Sequence, residues 1–123
     1  MPDILPSLSV VIPTYNGCSD LRQLLPALLA QKANHPVEIV CIDSGSTDGT
    51  WELLGTHAVT RYRISPSEFG HGATRNLGIA RSKGDIVILL TQDAIPTSDT
   101  WLQTILRNYS DPNVAGVYCR QLA

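Results

Sequence analysis

Val37-Glu-Ile-Val-Cys-Ile42 runs without a break into Asp43-Ser-Gly-Ser-Thr-Asp-Gly49, and the chain resumes with Trp51-Glu-Leu-Leu54. The apolar, β-branched run reads as a buried strand, the turn formers after it as a loop, and the segment around Trp51–Leu54 as a short helix. This is a βα unit, and the same alternation extends in both directions. Upstream, Leu8-Ser-Val-Val-Ile12 is a strand closed by Pro13. After the loop Thr14-Tyr-Asn-Gly17, Leu21, Leu24, Leu25, Leu28 and Leu29 follow the i, i+3, i+4, i+7, i+8 spacing of an amphipathic helix. Ser19 is placed to cap that helix. Pro26 lies inside it, where an ideal helix interior would lose about 3 kcal/mol, yet the apolar spacing predicts that the helix continues.

Downstream, Ala58–Ile64 gives a third strand, Ser65-Pro-Ser-Glu-Phe-Gly-His-Gly72 a loop, and Ala73–Ser82 a helix that Gly84 stops. Asp85-Ile-Val-Ile-Leu-Leu90 is apolar on both faces, as a central parallel strand is. It ends in Thr91-Gln-Asp-Ala-Ile-Pro96 before a helix over Asp99–Tyr109, and Val114–Cys119 begins another strand. There is no internal repeat. Strands alternating with helices predict an α/β fold: a Rossmann-like parallel sheet with helices on both faces. Ligands of such sheets bind at the carboxyl ends of the strands. The loops Pro13–Gly17, Asp43–Gly49 and Thr91–Pro96 are therefore expected to line one site.

The bulk numbers narrow the partner. One hundred and twenty-three residues make one domain, and 43% hydrophobic with 16% charged residues is a globular balance. A formal net charge of −2 leaves no surplus of cations for nucleic acid or an anionic membrane. Cys18, Cys41 and Cys119 match neither a disulfide framework nor a zinc site, so free thiols in a reducing compartment are expected. Met1–Ser7 has no signal-peptide pattern, and no apolar run approaches the ~20 residues of a membrane span, which points to the cytoplasm.

The chemistry sits in the loops. Asp93 follows an apolar strand, where a carboxylate serves either as a ligand for Mg²⁺ or Mn²⁺ or as a cap for the segment after Pro96. Asp43 stands in the equivalent place after the second strand and could accept from a base imide or a ribose hydroxyl. Asp48, just before Gly49, reads as a helix N-cap. Pro13, Thr14 and Tyr15 can wall a flat base, with Tyr15 stacking on it or simply half-buried. Gly70-His-Gly-Ala-Thr-Arg-Asn-Leu-Gly78 is not a dinucleotide fingerprint, because Arg75 stands where glycine is needed and a long polar loop precedes it. No P-loop pattern exists. The segment offers a helix start with Arg75 in its first turn, an anchor for a diphosphate or else a solvated charge. His71 has no partner at metal-ligand spacing and reads as a loop hydrogen bonder.

Taken together, Val10-Val-Ile-Pro-Thr-Tyr-Asn16, Ile42-Asp-Ser-Gly-Ser-Thr-Asp-Gly-Thr50, Gly72-Ala-Thr-Arg-Asn-Leu-Gly78 and Thr91-Gln-Asp93 resemble family 2 glycosyltransferases of the GT-A fold, in order and spacing over nearly the whole chain. The resemblance implies an inverting transfer of a sugar from a nucleotide-diphosphate donor to an acceptor hydroxyl. Pro13, Thr14, Tyr15 and Asp43 would then contact the nucleoside. Arg75 and Asn76 would lie near the diphosphate or the binding loop, Gln92 would belong to the nucleotide-sugar-binding set, and Asp93 would bind Mg²⁺ or Mn²⁺.

Ser44 replaces a frequent second aspartate and Thr91 the first acid of the Asp-x-Asp motif, leaving Asp93 as the sole carboxylate there. Gln92-Asp93-Ala94 with Phe69-Gly-His-Gly-Ala-Thr-Arg-Asn76 is similar to the rhamnosyltransferase-type branch, which implies a dTDP-sugar donor. Family members continue into an acceptor-binding half that supplies the general base. Residues 1–123 are thus expected to be the nucleotide-sugar-binding half, inactive alone, with the acceptor, carbohydrate or lipid-linked, and any peripheral attachment to a membrane left to the remainder. A free-standing nucleotide-binding module is the competing expectation. A sugar nucleotidyltransferase would need a basic, Gly-rich first loop, and Pro13-Thr-Tyr-Asn-Gly17 has no Lys or Arg. The edge left by Val114–Cys119 is expected to promote self-association.

Overall fold

The structure is a computed structural model that describes residues 6–111 and 113–117. Strands β1 (Leu8–Thr14), β2 (Val37–Asp43), β3 (Thr60–Arg63) and β4 (Ile86–Leu89) alternate with helices α1 (Cys18–Leu29), α2 (Thr50–Gly55), α3 (His71–Arg81) and α4 (Trp101–Arg107). Short 3₁₀ turns follow at Pro66–Glu68 and Asn108–Ser110. All strand pairs are parallel, in the order β3-β2-β1-β4. The α/β expectation holds.

Alternation along the strands divides the core. Val10, Ile12, Ile39 and Cys41 pack against Leu21, Leu24, Leu25 and Leu28 of α1, Leu54 of α2 and Leu102 of α4. Val11, Val40 and Ile42 face the other way, against Leu77 of α3. Gly78 lets α3 lie close to the sheet, because a Cβ there would overlap the Val11 side chain. Cys41 is buried, and burial followed by the Asp43 charge pushes its thiol up to about 12, so it stays neutral and inert. Cys119 lies outside the described residues. Among those residues, no helix is long and apolar enough to cross a membrane.

Several boundaries differ from expectation. β1 runs through Pro13 to Thr14, with Pro13 opposite Ile42, whereas β4 follows β1 only as far as Val11 opposite Leu89. Pro26 is carried inside α1 as the apolar spacing predicts. Ser19 does not cap α1: the helix starts at Cys18, and its amino end is satisfied from the second loop. The Asp48 carboxylate accepts the Cys18 N–H at 3.1 Å, and Thr50 Oγ1 accepts the Gly17 N–H at 3.0 Å. Gly84 is not the helix stop, since α3 ends at Arg81; a Cβ at Gly84 would sit 2.6 Å from the Ser9 nitrogen, so close approach to β1 requires the glycine. β4 is an edge of the described sheet, not its centre, and Leu89 is 48% exposed. Val114–Val117 form no strand, and the rest of the strand expected to Cys119 falls outside the described residues.

Candidate functional site

Where β4 leaves β1, the two chains diverge and a cleft of about 280 Å³ opens at the carboxyl ends of the strands. Pro13, Tyr15 and Phe69 form its apolar walls. Asp20 and Asp93 bring carboxylates, and Arg75 and His71, both near the start of α3, bring basic side chains. Thr14, Thr91 and Gln92 fill the junction. Tyr15 is 51% exposed and Phe69 41%, so each offers a ring face or edge that a flat ligand can cover. A second hollow of about 240 Å³ lies at the amino ends of the strands, against Leu28, Val37 and Leu102, and its lining carries neither carboxylate nor arginine.

Pro13, Thr14, Tyr15, Arg75, Gln92 and Asp93 are thus brought together as the sequence suggests. Asp43 and Asn76 are not in the lining. Asn76 is exposed on α3 beside Arg75. Asp43 is fully buried: one oxygen accepts Thr14 Oγ1 at 2.9 Å and Ser46 Oγ at 2.6 Å, and the other accepts the Ser46 N–H at 3.0 Å with Arg63 Nε at 3.8 Å. Its lone pairs are largely committed to protein donors, which makes it the knot that ties the first loop to the second.

The Asp43–Gly49 loop, expected to line the cleft, instead packs behind the first loop. Asn16 adopts a left-handed φ of 45°, donates its N–H to Ser46 Oγ at 2.8 Å and accepts the Thr47 N–H on its side-chain oxygen at 2.8 Å. Asp48 Oδ1 also accepts the Thr50 N–H at 3.1 Å, so one carboxylate serves the starts of both α1 and α2.

Gln92 acts between the loops. Its Oε1 accepts the Tyr15 N–H at 3.0 Å, and its Nε2 donates to the Tyr15 carbonyl at 3.0 Å. Gly17 leaves the room for this, since a Cβ there would overlap the Gln92 carboxamide.

Sequence reasoning missed Asp20 and Phe69 and undervalued His71. Phe69 is the chain's one phenylalanine, set in an otherwise polar loop at the head of the Phe69–Asn76 stretch, and those two signals could have marked it as a site residue. Its ring meets His71 edge-on at 5.0 Å. Asp20 is exposed in the first turn of α1, one turn before Leu24 and at the edge of the leucine stripe.

The donor set suits a cation held mainly by its ligand. No group of three or more His, Cys, Asp or Glu gathers among the described residues, which excludes a closed protein cage there. Asp93, sharing the cleft with Asp20, supplies hard oxygen of the kind Mg²⁺ and Mn²⁺ take when one or two carboxylates and substrate phosphates complete the shell.

A parallel sheet with a cleft and a carboxylate-bearing turn at the carboxyl ends of its strands defines an α/β domain with a ligand crevice there, and its likeness to solved glycosyltransferases makes the fold GT-A. The chain belongs to glycosyl transferase family 2, whose pattern it matches over residues 9–123. It is 42% identical to the O-antigen chain rhamnosyltransferase WbaN of Salmonella anatum over 96% of its own length and 38% of that protein's. With the O-antigen chain rhamnosyltransferase RfbN of Salmonella typhimurium it shares 37% identity over 94% of its length and 37% of the relative's. The chain therefore spans well under half of these relatives. Among solved structures it resembles the mannosyltransferase PcManGT of Pyrobaculum calidifontis, in complex with GDP-Man and Mn²⁺, at TM-score 0.74 and 26% identity over 91% of this chain and 36% of that one. S. aureus TarS in complex with UDP shares the fold, with TM-score 0.73 and 23% identity over 94% of this chain and 38% of that one.

Proposed function

We propose that this chain forms the donor-binding half of an inverting glycosyltransferase that moves a sugar from a nucleotide-diphosphate donor to an acceptor hydroxyl. The observation that carries the reading is the cleft itself, which sets stacking surfaces, one arginine and the Asp93 carboxylate around a single space. A nucleoside would lie against Pro13 and Tyr15, and its diphosphate would extend toward Arg75 and the Asp93 turn. Thr14 and Asp43 would keep the base wall in place from behind, Gln92 would border the cleft beside the Asp93 turn, and Asn76, outside the lining, would support the Arg75 end. Asp93 would hold Mg²⁺ or Mn²⁺, whose chemistry is to offset charge on the leaving diphosphate. Arg75 would add a guanidinium to the same task. The names of two relatives favour rhamnose as the sugar, and the motif resemblance of Gln92-Asp93-Ala94 and Phe69–Asn76 favours dTDP over UDP as its carrier.

The test is calorimetric titration of the protein with dTDP and with UDP, with and without Mn²⁺. Binding is expected to depend on the cation, to favour dTDP, and to weaken about tenfold or more in Asp93→Ala. Metal-independent affinity that Asp93→Ala leaves unchanged would reject the role given to Asp93.

A further inference from the structure

Two turns meet at the cleft: the one after β1 that presents Tyr15 and the one after β4 that presents Asp93. Their last shared backbone hydrogen bond runs from the Leu90 N–H to the Val11 carbonyl. Beyond it, among the described residues, the turns are joined through the Gln92 carboxamide, which engages both the N–H and the carbonyl of Tyr15. A side chain here imitates a strand neighbour where the strand has already left. The space for it exists only because residue 17 is glycine.

We propose that Gln92 is a positioning residue of the donor site, a latch that ties the Tyr15 turn to the Asp93 turn and keeps the base wall and the cation-binding carboxylate at one spacing. The proposal rests on the donor-binding reading above. Base and diphosphate belong to one ligand, so a site whose two ends are already fixed loses less ordering entropy when that ligand binds. Gln92 acts by holding Tyr15, not by reading the base.

The free protein tests the latch directly by amide hydrogen exchange. Gln92→Met preserves side-chain length and removes both bonds, so the Tyr15 amide is expected to exchange about three- to tenfold faster. The Ser46 amide, held by Asp43, serves as the unchanged internal reference. Gln92→Glu keeps an acceptor for the Tyr15 N–H but sets a carboxylate against its carbonyl, and an intermediate acceleration is expected. Gly17→Ala should reproduce the Gln92→Met result with the glutamine still present, and the double variant should be no worse than either alone.

In the presence of Mn²⁺, dTDP affinity should fall about tenfold in each single variant. Unchanged Tyr15 exchange in Gln92→Met, additive effects in the double variant, or undiminished affinity once exchange has accelerated would each overturn the proposal. Should the wild-type protein bind neither dTDP nor UDP, the donor reading fails, and the exchange data still decide whether the latch exists.

Discussion

At the scale of single residues, the second loop matters more for support than for contact. Asp43 and Asp48 both look from the sequence like site residues or caps; the structure makes each a hub whose acceptors hold a neighbouring loop. The Thr50 hydroxyl first, then the Cys18 and Thr50 amides, hold the Asp48 carboxyl below the ordinary aspartate range. With the folded value below an unfolded value of about 3.9, this stabilisation is complete above that pH and is lost as pH falls through the folded value. Asp48→Ala should therefore cost about 1 kcal/mol at pH 7, read from urea midpoints, and the gap from wild type should narrow below about pH 4. A gap that stays constant down to pH 2 would show that the ionised carboxylate is not the stabilising form. Roles of this kind are hard to read from sequence, because the partners that join one loop to the other, Thr14 for Asp43 and Cys18 for Asp48, lie about thirty positions away and carry no spacing signal.

At the scale of elements, the strands and helices were legible wherever apolar spacing carried them. The leucine stripe located α1 across Pro26, and the run ending at Ile42 located β2. Ends were less legible. Ser19 has the chemistry of a cap, but tertiary acceptors from the second loop had already satisfied that helix end. β4 looked central because its apolar residues fall on both faces, while edge or centre is decided by neighbours distant in sequence. Gly78 shows the same limit: its motif suggests ligand binding, yet its place in α3 is a contact with Val11. Gly78→Ala is expected to destabilise the protein by about 1–3 kcal/mol through overpacking, measured by chemical denaturation, despite alanine's better helix propensity. A stabilised variant would mean that α3 can shift away from β1 without loss.

At the scale of the whole molecule, the sheet order and the cleft follow from the alternation of elements, and three of the four short motifs place six of the expected site residues on one cleft, while the Ile42–Thr50 motif supports it from behind. The expected self-association now rests on a different edge: β4 has one neighbour among the described strands, and Leu89 is 48% exposed on it. We expect the 123-residue protein to show a concentration-dependent sedimentation coefficient, and Leu89→Lys to reduce that dependence. A single monomeric species at all concentrations would remove the edge as an interface. The point where β1 outlasts β4 has a further consequence. The Val11 carbonyl faces β4, and residues two apart on a strand turn their amides the same way, so Pro13 directs its ring nitrogen into the gap that β4 vacates. That nitrogen has no hydrogen to give. A lengthened β4 would find that ladder donor missing, so the covalent structure of one imino acid disfavours closing the sheet across the mouth of the cleft.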